Sequence, residues 1–396
     1  MESKRFHILF FAFFFICVLL SACGLEEKEA HHIEVNSSTD LEVNLAESDD
    51  FVLDETSFLT DYDYLLEILS DYYPHYDWLI AETDFMSVYT DKREELEEIR
   101  DAYQFHEIVS SVLDTAKNVG HLAILPKGRF ELEKKGSIEH PEFYTQEERE
   151  ILQADKTQAF YDMLPDLVDE SESEVLVTYY SELDSLIFEI KSFSKSIEAN
   201  DNNFIDEYMK KYPGVSNIVF DIRGNVGGDT YFWMKKIVEP IGGENIFTIK
   251  YRVKDSSFSR TKHTSFFIDG HEVETGVYEK EEKYDLSSAE TSWTNKNKWV
   301  LIDNQVYSAA DSFANFCKMN NWATLIGDTT SGNGLGLTAD IFLLPHSGII
   351  VQFASVYGIN ADGVDSNLHG VKPDIYNIKN FSALETYKKV IKEEKG

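Results

Sequence analysis

The residues with chemical potential lie in a few short, ordered segments. Trp299-Val300-Leu301-Ile302-Asp303 reads as a buried strand, and Ala309 to Met319 reads as a helix. Phe313, Phe316 and Cys317 share one apolar face of that helix, which makes the Cys317 thiol a packing group rather than a reactive one. Ser308 falls between strand and helix. A hydroxyl there stands at the end of a sheet, beside free N–H groups and the positive end of the helix dipole. Acyl transfer needs such a place: a nucleophile, amide donors for an oxyanion, and a base within reach. A serine before a helix is more often only a cap, so Ser308 needs company. Part of it is the turn Arg223-Gly224-Asn225-Val226-Gly227-Gly228, which follows a second buried strand, Ile218 to Ile222. Paired glycines let a backbone approach a ligand closely and aim amides at a carbonyl oxygen.

Taken together, "NIVFDIRGNVGGD", "VLIDNQVYSAADSFANF", "ATLIGDTTSGNG" and "GVKPDI" resemble the C-terminal processing (tail-specific) and tricorn-core serine peptidases, in that order. The resemblance covers residues 176–378 well and 58–125 loosely. It implies a crotonase-like ββα core, Ser308 as the attacking nucleophile, and an oxyanion hole built from the Ala309 amide and one of Gly227 or Gly228. One branch of that family uses a lysine 25 positions after the serine as base, and here Asn333 stands there. The tricorn-like branch uses an upstream histidine at the start of a strand, which matches His121 in Gly120-His121-Leu122-Ala123-Ile124-Leu125. An imidazole titrates near neutrality and can move a proton both ways. Two departures stand out: Gly120 replaces a serine before the histidine, and Asn367 occupies the neighbourhood of the orienting glutamate. Asn367, Asp365, Asp362 and Asp311 are the candidates for orienting the base. Asp340 and Asp374 read as structural.

Positioning these groups requires a mixed, mostly parallel sheet with covering helices, since strands alternate with helices beyond Leu176. Ala323–Gly327, Ile341–Pro345 and Ile349–Val356 supply further strands. Upstream, residues 57–125 read as a small helical module ending in a strand. Phe105, Ile108, Val109, Val112 and Leu113 follow helical spacing, Pro74 ends a first helix, and Thr83 and Asp84 begin another. Residues 126–175 form a charged insertion of no assigned role, helical over Gln146–Leu164, and 176–396 form the catalytic-type domain.

The N-terminus bears on location. Lys4 and Arg5 precede an unbroken apolar run from Ile8 to Leu20, too short to span a bilayer comfortably. It ends in Leu20-Ser21-Ala22-Cys23, which looks like a lipobox. Residues 1–22 are therefore expected to be a lipoprotein signal and Cys23 the lipidated residue, and two acyl chains give a stable anchor. Residues 23–56 read as an acidic tether, in which His31-His32 is a solvated pair rather than a metal site; ~30 such residues reach on the order of 30 Å. Cys17 would leave with the signal, so Cys317 remains without a disulfide partner. A net charge of −35 over 396 residues disfavours nucleic acid and broad docking to anionic lipid. The expectation is a lipid-anchored peptidase on the extracytoplasmic face of the membrane, acting on peptides or unfolded chains without metal or cofactor. The alternative is a non-catalytic relative that binds extended peptide on the same scaffold. A lipase-like esterase would need a Gly-x-Ser-x-Gly elbow, which Ser308 lacks.

Overall fold

A computed structural model describes residues 55–99, 101–165, 175–194 and 204–394. The expected signal, Cys23 and the tether lie outside the described residues. Six strands form the central sheet: β2 (Leu176–Tyr180), β3 (Ser185–Glu189), β4 (Asn217–Asp221), β8 (Asn297–Ile302), β9 (Thr324–Gly327) and β13 (Ile375–Tyr376), in the order β13-β9-β8-β4-β3-β2. All neighbours run parallel except the edge pair β2–β3.

Strands of a parallel sheet covered on both faces should be continuously apolar, and Ile218-Val219-Phe220 is fully buried. Their alternation sorts them into two cores. Phe188, Ile218, Phe220, Val300 and Leu325 face α12 (Ala309–Met319) and the helical run α9 over 230–241, packing with Trp233, Phe313 and Phe316. Ile187, Val219, Leu301 and Ile326 face α13 (Ala383–Glu394) through Tyr387 and Ile391. A short helix, α8 (Phe204–Lys211), adds Ile205 to the first of these cores.

A four-stranded antiparallel sheet flanks this body. Its strands β5 (Ile246–Lys254), β6 (His271–Glu274), β7 (Val277–Asp285) and β12 (Val356–Ile359) lie in the order β12-β5-β7-β6. The sequence reading assigns nothing to 246–285, although β5 alternates between exposed or half-buried and buried positions along its whole length. Two short helices, α10 (Ser257–Lys262) and α11 (Thr264–Asp269), link β5 to β6.

The third core holds the N-terminal helices α1 (Glu55–Tyr72), α2 (Tyr76–Glu82), α3 (Phe85–Glu95) and α4 (Ala102–Leu113). Residues 126–165, set apart by the sequence reading as an insertion, belong to this same core. Their helices α5 (Lys127–Glu139), α6 (Gln146–Gln153) and α7 (Asp155–Met163) contribute Phe130, Leu152, Phe160 and Tyr161. The helical stretch expected over 146–164 is interrupted at Ala154, which adopts an extended conformation. A three-stranded sheet, β1 (Ala123–Ile124), β11 (Ile350–Phe353) and β10 (Asp340–Leu343), closes the core with Phe342, Ile350 and Phe353. A segment from the C-terminal half thus pairs with β1, directly after His121. The strand expected from Gly120 begins only at Ala123; Val119–His121 is a tight turn.

Candidate active site

Open parallel sheets bind ligands beyond the carboxyl ends of their strands. Here the Gly-rich turn leaves the end of β4, and Ser308 lies beyond the end of its neighbour β8, where Asp221 pairs with Leu301. Ser308 has φ 53° and ψ −125°, a conformation that costs a non-glycine residue on the order of 1–3 kcal/mol. Four main-chain hydrogen bonds hold it. Ser308 N–H donates to the Gly332 carbonyl at 3.0 Å, Tyr307 N–H to Asn225 at 3.2 Å, Ser331 N–H to Val306 at 2.8 Å, and Ser312 N–H to the Ser308 carbonyl at 2.9 Å.

The glycine pair is needed for space. A Cβ on Gly227 would stand 2.9 Å from the Ser308 Cβ and from the Tyr307 carbonyl oxygen. One on Gly228 would stand 2.3 Å from the Phe193 carbonyl oxygen. The turn is pinned by Phe193 N–H to the Gly227 carbonyl (2.8 Å) and Asp229 N–H to the Phe193 carbonyl (2.7 Å). Asn225 Oδ1 takes the Gly227 amide at 2.8 Å, which commits that donor to the turn. Of the two amides expected as alternatives, that of Gly227 is thus already engaged, and Gly228 is the candidate that remains.

His121 reaches Ser308 from the other core. Its Nε2 is 3.5 Å from Ser308 Oγ, at the outer edge of hydrogen bonding; catalytic contacts are often this loose without substrate. Its backbone is left-handed (φ 60°), in a turn where Lys117, Asn118 and Gly120 also have positive φ. Tyr73 Oη donates to the Val119 carbonyl at 2.8 Å, and Ala354 N–H to the Gly120 carbonyl at 2.7 Å. Asn333 joins this turn to the serine loop: its Oδ1 accepts from Gly120 N–H at 2.6 Å, and its own N–H donates to the Ser366 carbonyl at 2.8 Å. Asn333, at the position of the lysine in the other branch, is thus a strut between the two halves of the site.

Burial lowers the pKa of His121 from its ordinary 6.5; a hydrogen bond with the Asn333 main chain opposes this, and the Arg129 charge reinforces it. The other side of the ring meets Tyr307. Tyr307 Oη is 3.1 Å from His121 Nδ1 and donates to the Asn118 carbonyl at 3.0 Å, and the two rings meet edge-on. Tyr307 is not among the residues expected at the site, and its place directly before Ser308 is the signal the sequence offers for it.

None of the four candidate orienting residues is hydrogen-bonded to His121 among the described residues. Asp365 accepts from Asn367 N–H at 2.8 Å and binds His75 Nε2 at 2.9 Å. Asp362 lies on an exposed turn. Asn367 is buried, with its Nδ2 lacking a hydrogen-bond partner. A Cβ at Gly120 would meet Tyr73 Cε2 at 3.3 Å, Asn367 Nδ2 at 3.4 Å and His75 Nδ1 at 3.5 Å, so Gly120 and Asn367, the two departures from the family pattern, lie side by side. Asp311 faces into the protein. It accepts from Thr330 Oγ1, from Gly334 N–H at 3.1 Å and from Asn315 Nδ2 at 3.0 Å, and so fastens α12 to the 330–334 loop.

Comparison with known proteins bears on the family and the fold. Residues 185–377 match the family model for peptidase family S41. Among solved structures, a candidate peptidase from Parabacteroides merdae superposes with a TM-score of 0.54 at 15% identity, over 84% of this chain and 96% of that one. Mature CPAF complexed with lactacystin gives 0.53 at 11% identity, over 86% and 98%. At these identities the likeness is one of fold. No curated protein matches the chain significantly by sequence.

Asp311 generates a prediction about pH and stability. Burial pushes its pKa from 3.8 up to about 7. Between those values the folded protein holds a proton that the unfolded chain has released, so this group's contribution to stability falls as pH rises through the window. Asp311→Asn fixes the side chain in an uncharged state. The Tm of the variant relative to wild type should therefore rise steadily from pH 4 to about 7. A difference that stays flat or falls across the window would show that Asp311 is ionised throughout.

Proposed function

We propose, on the premise that the chain belongs to peptidase family S41 through residues 185–377, that it is a lipid-anchored peptidase of the extracytoplasmic membrane face. Ser308 is its nucleophile and His121 its base, and its substrates are peptides or unfolded chain ends. The observation that carries this reading is the meeting of Ser308 Oγ with His121 Nε2 at the start of α12, from parts of the chain that do not share a core.

The chemistry follows from the atoms. His121 Nε2 takes the Ser308 Oγ proton as Oγ bonds to the scissile carbonyl carbon, and the carbonyl π-electrons move onto oxygen. The Gly228 and Ala309 amides, with the α12 dipole behind them, stabilise that oxyanion. The imidazolium then protonates the leaving amine, and a water deprotonated by the same nitrogen releases the acyl group from Ser308. Val226, exposed at the tip of the Gly-rich turn, offers an apolar contact to a side chain of the substrate.

Because the base must be neutral and its pKa is depressed, kcat/KM should be half-maximal below pH 6.5 and flat above it. Ser308→Ala should abolish both hydrolysis and labelling by a fluorophosphonate. His121→Ala should lower kcat by about 10³-fold or more. Hydrolysis that survives Ser308→Ala would place the nucleophile elsewhere. If extended peptides bind but are never cut above the Ser308→Ala control, the protein is a peptide-binding relative, the reading that the carboxylate-free imidazole favours.

The anchor rests on the lipobox sequence at residues 20–23 and the acidic stretch after it. Cys23→Ala should block incorporation of labelled fatty acid and leave an uncleaved precursor. Incorporation at the wild-type level would refute the anchor without touching the active-site reading.

A further inference from the structure

Given the Ser308–His121 reading above, we infer that Tyr307 is the third member of the site: its hydroxyl fixes the tautomer and aim of His121, where related enzymes use a carboxylate. A serine's proton can pass to Nε2 only if that nitrogen is bare, so the ring's own hydrogen must sit on Nδ1. The Tyr307 hydroxyl has a single hydrogen. The Asn118 carbonyl, 3.0 Å away, can only accept, so the hydroxyl donates to it. The 3.1 Å contact to His121 Nδ1 is then made by the Tyr307 oxygen as acceptor, with Nδ1–H donating. The inferred tautomer thus has Nδ1–H on the Tyr307 oxygen and a bare Nε2 facing Ser308 Oγ, with the Asn333 main chain as the other hydrogen-bonding group at the ring.

The surroundings support this assignment. Asn118 has φ 59°, a conformation asparagine tolerates better than most residues, and this presents its carbonyl to the tyrosine. Burial raises the Tyr307 pKa, which keeps the hydroxyl protonated and able to donate. The groups that bear on the ring are Tyr307, Ser308, the Asn333 main chain and the Arg129 charge. The nearby carboxylates have other partners, Asp365 with His75 and Asp311 with Thr330 and Asn315. Tyr307 acts through His121 and touches no reacting atom, so it is a positioning residue. Burial lowers the pKa of His121, and a neutral oxygen at Nδ1 offsets this less than a carboxylate would.

Tyr307→Phe removes one oxygen and keeps the ring. We expect kcat to fall roughly 10- to 100-fold with KM unchanged, as for loss of a hydrogen bond that strengthens in the transition state. The acid limb of the pH profile should move lower, because the imidazolium loses an acceptor. The direct readout is ¹⁵N NMR of histidine-labelled protein, with His121 assigned by its loss in His121→Gln. Above its pKa, wild-type His121 should show a protonated Nδ1 and a bare Nε2, and Tyr307→Phe should lose that preference. The Ser308→Ala variant should retain it. A wild-type ring protonated on Nε2, or a tautomer unchanged by Tyr307→Phe, would overturn the inference. The tautomer is read without substrate, so it decides the role of Tyr307 separately from whether Ser308 cleaves peptides.

Discussion

The hydrogen bond from Ser308 N–H to the Gly332 carbonyl holds a backbone conformation that the residue would not adopt alone. Everything at the site is arranged around keeping it. Gly227 lacks a side chain because the Ser308 Cβ occupies the space a Cβ would need. Asn225 spends its Oδ1 on the Gly227 amide, and its carbonyl accepts from Tyr307 N–H, so one residue braces both turns. Behind them, Asp311 ties the first turn of α12 to the loop that carries Gly332 and Asn333. Gly334 in that loop has no room for a Cβ, which would meet Ser312 N at 2.3 Å. The local strain is thus offset by contacts that form only when β4, β8, α12 and the 330–334 loop are all in place.

His121 arrives by a different route. The turn bearing His121 is rooted in the core formed by the N-terminal helices, residues 126–165 and β10–β11. Its link to the serine loop is short: Asn333 Oδ1 on Gly120 N–H, and Tyr307 on both Asn118 and His121. The same loop therefore holds both Ser308 and the turn that carries His121, and a shift of Asn333 would disturb both at once. Because that core also takes in Phe342, Ile350 and Phe353 from the C-terminal half, the packing of the N-terminal helices bears on where His121 stands relative to Ser308.

Much of this was legible in sequence where the signal is contiguous. The strand, turn and helix around Ser308 and the paired glycines can be read from adjacent residues, because buried parallel strands are uniformly apolar and turns need glycine. His121 was legible as a residue but not in its conformation: the strand pattern begins only at Ala123, and the left-handed run through Asn118 and Gly120 has no apolar period to reveal it. Asp365 illustrates the opposite limit. It sits two residues from Asn367, yet His75, 290 positions away in the chain, takes its carboxylate. Partner choice of that kind is set by tertiary packing, which residue spacing does not encode. The grouping of 126–165 with the N-terminal helices was hidden for the same reason, since its buried residues meet their partners only in the fold.

The central claim is that Ser308, the Gly228 and Ala309 amides and His121 form one acyl-transfer site. A crystal structure of the wild-type protein with a peptidyl boronate tests it most directly. The account predicts a covalent bond from Ser308 Oγ to boron, one boronate oxygen within about 3 Å of both amides, and another facing His121 Nε2. A boronate bound elsewhere, or bonded to Ser308 with both amides pointing away from its oxygens, would contradict it.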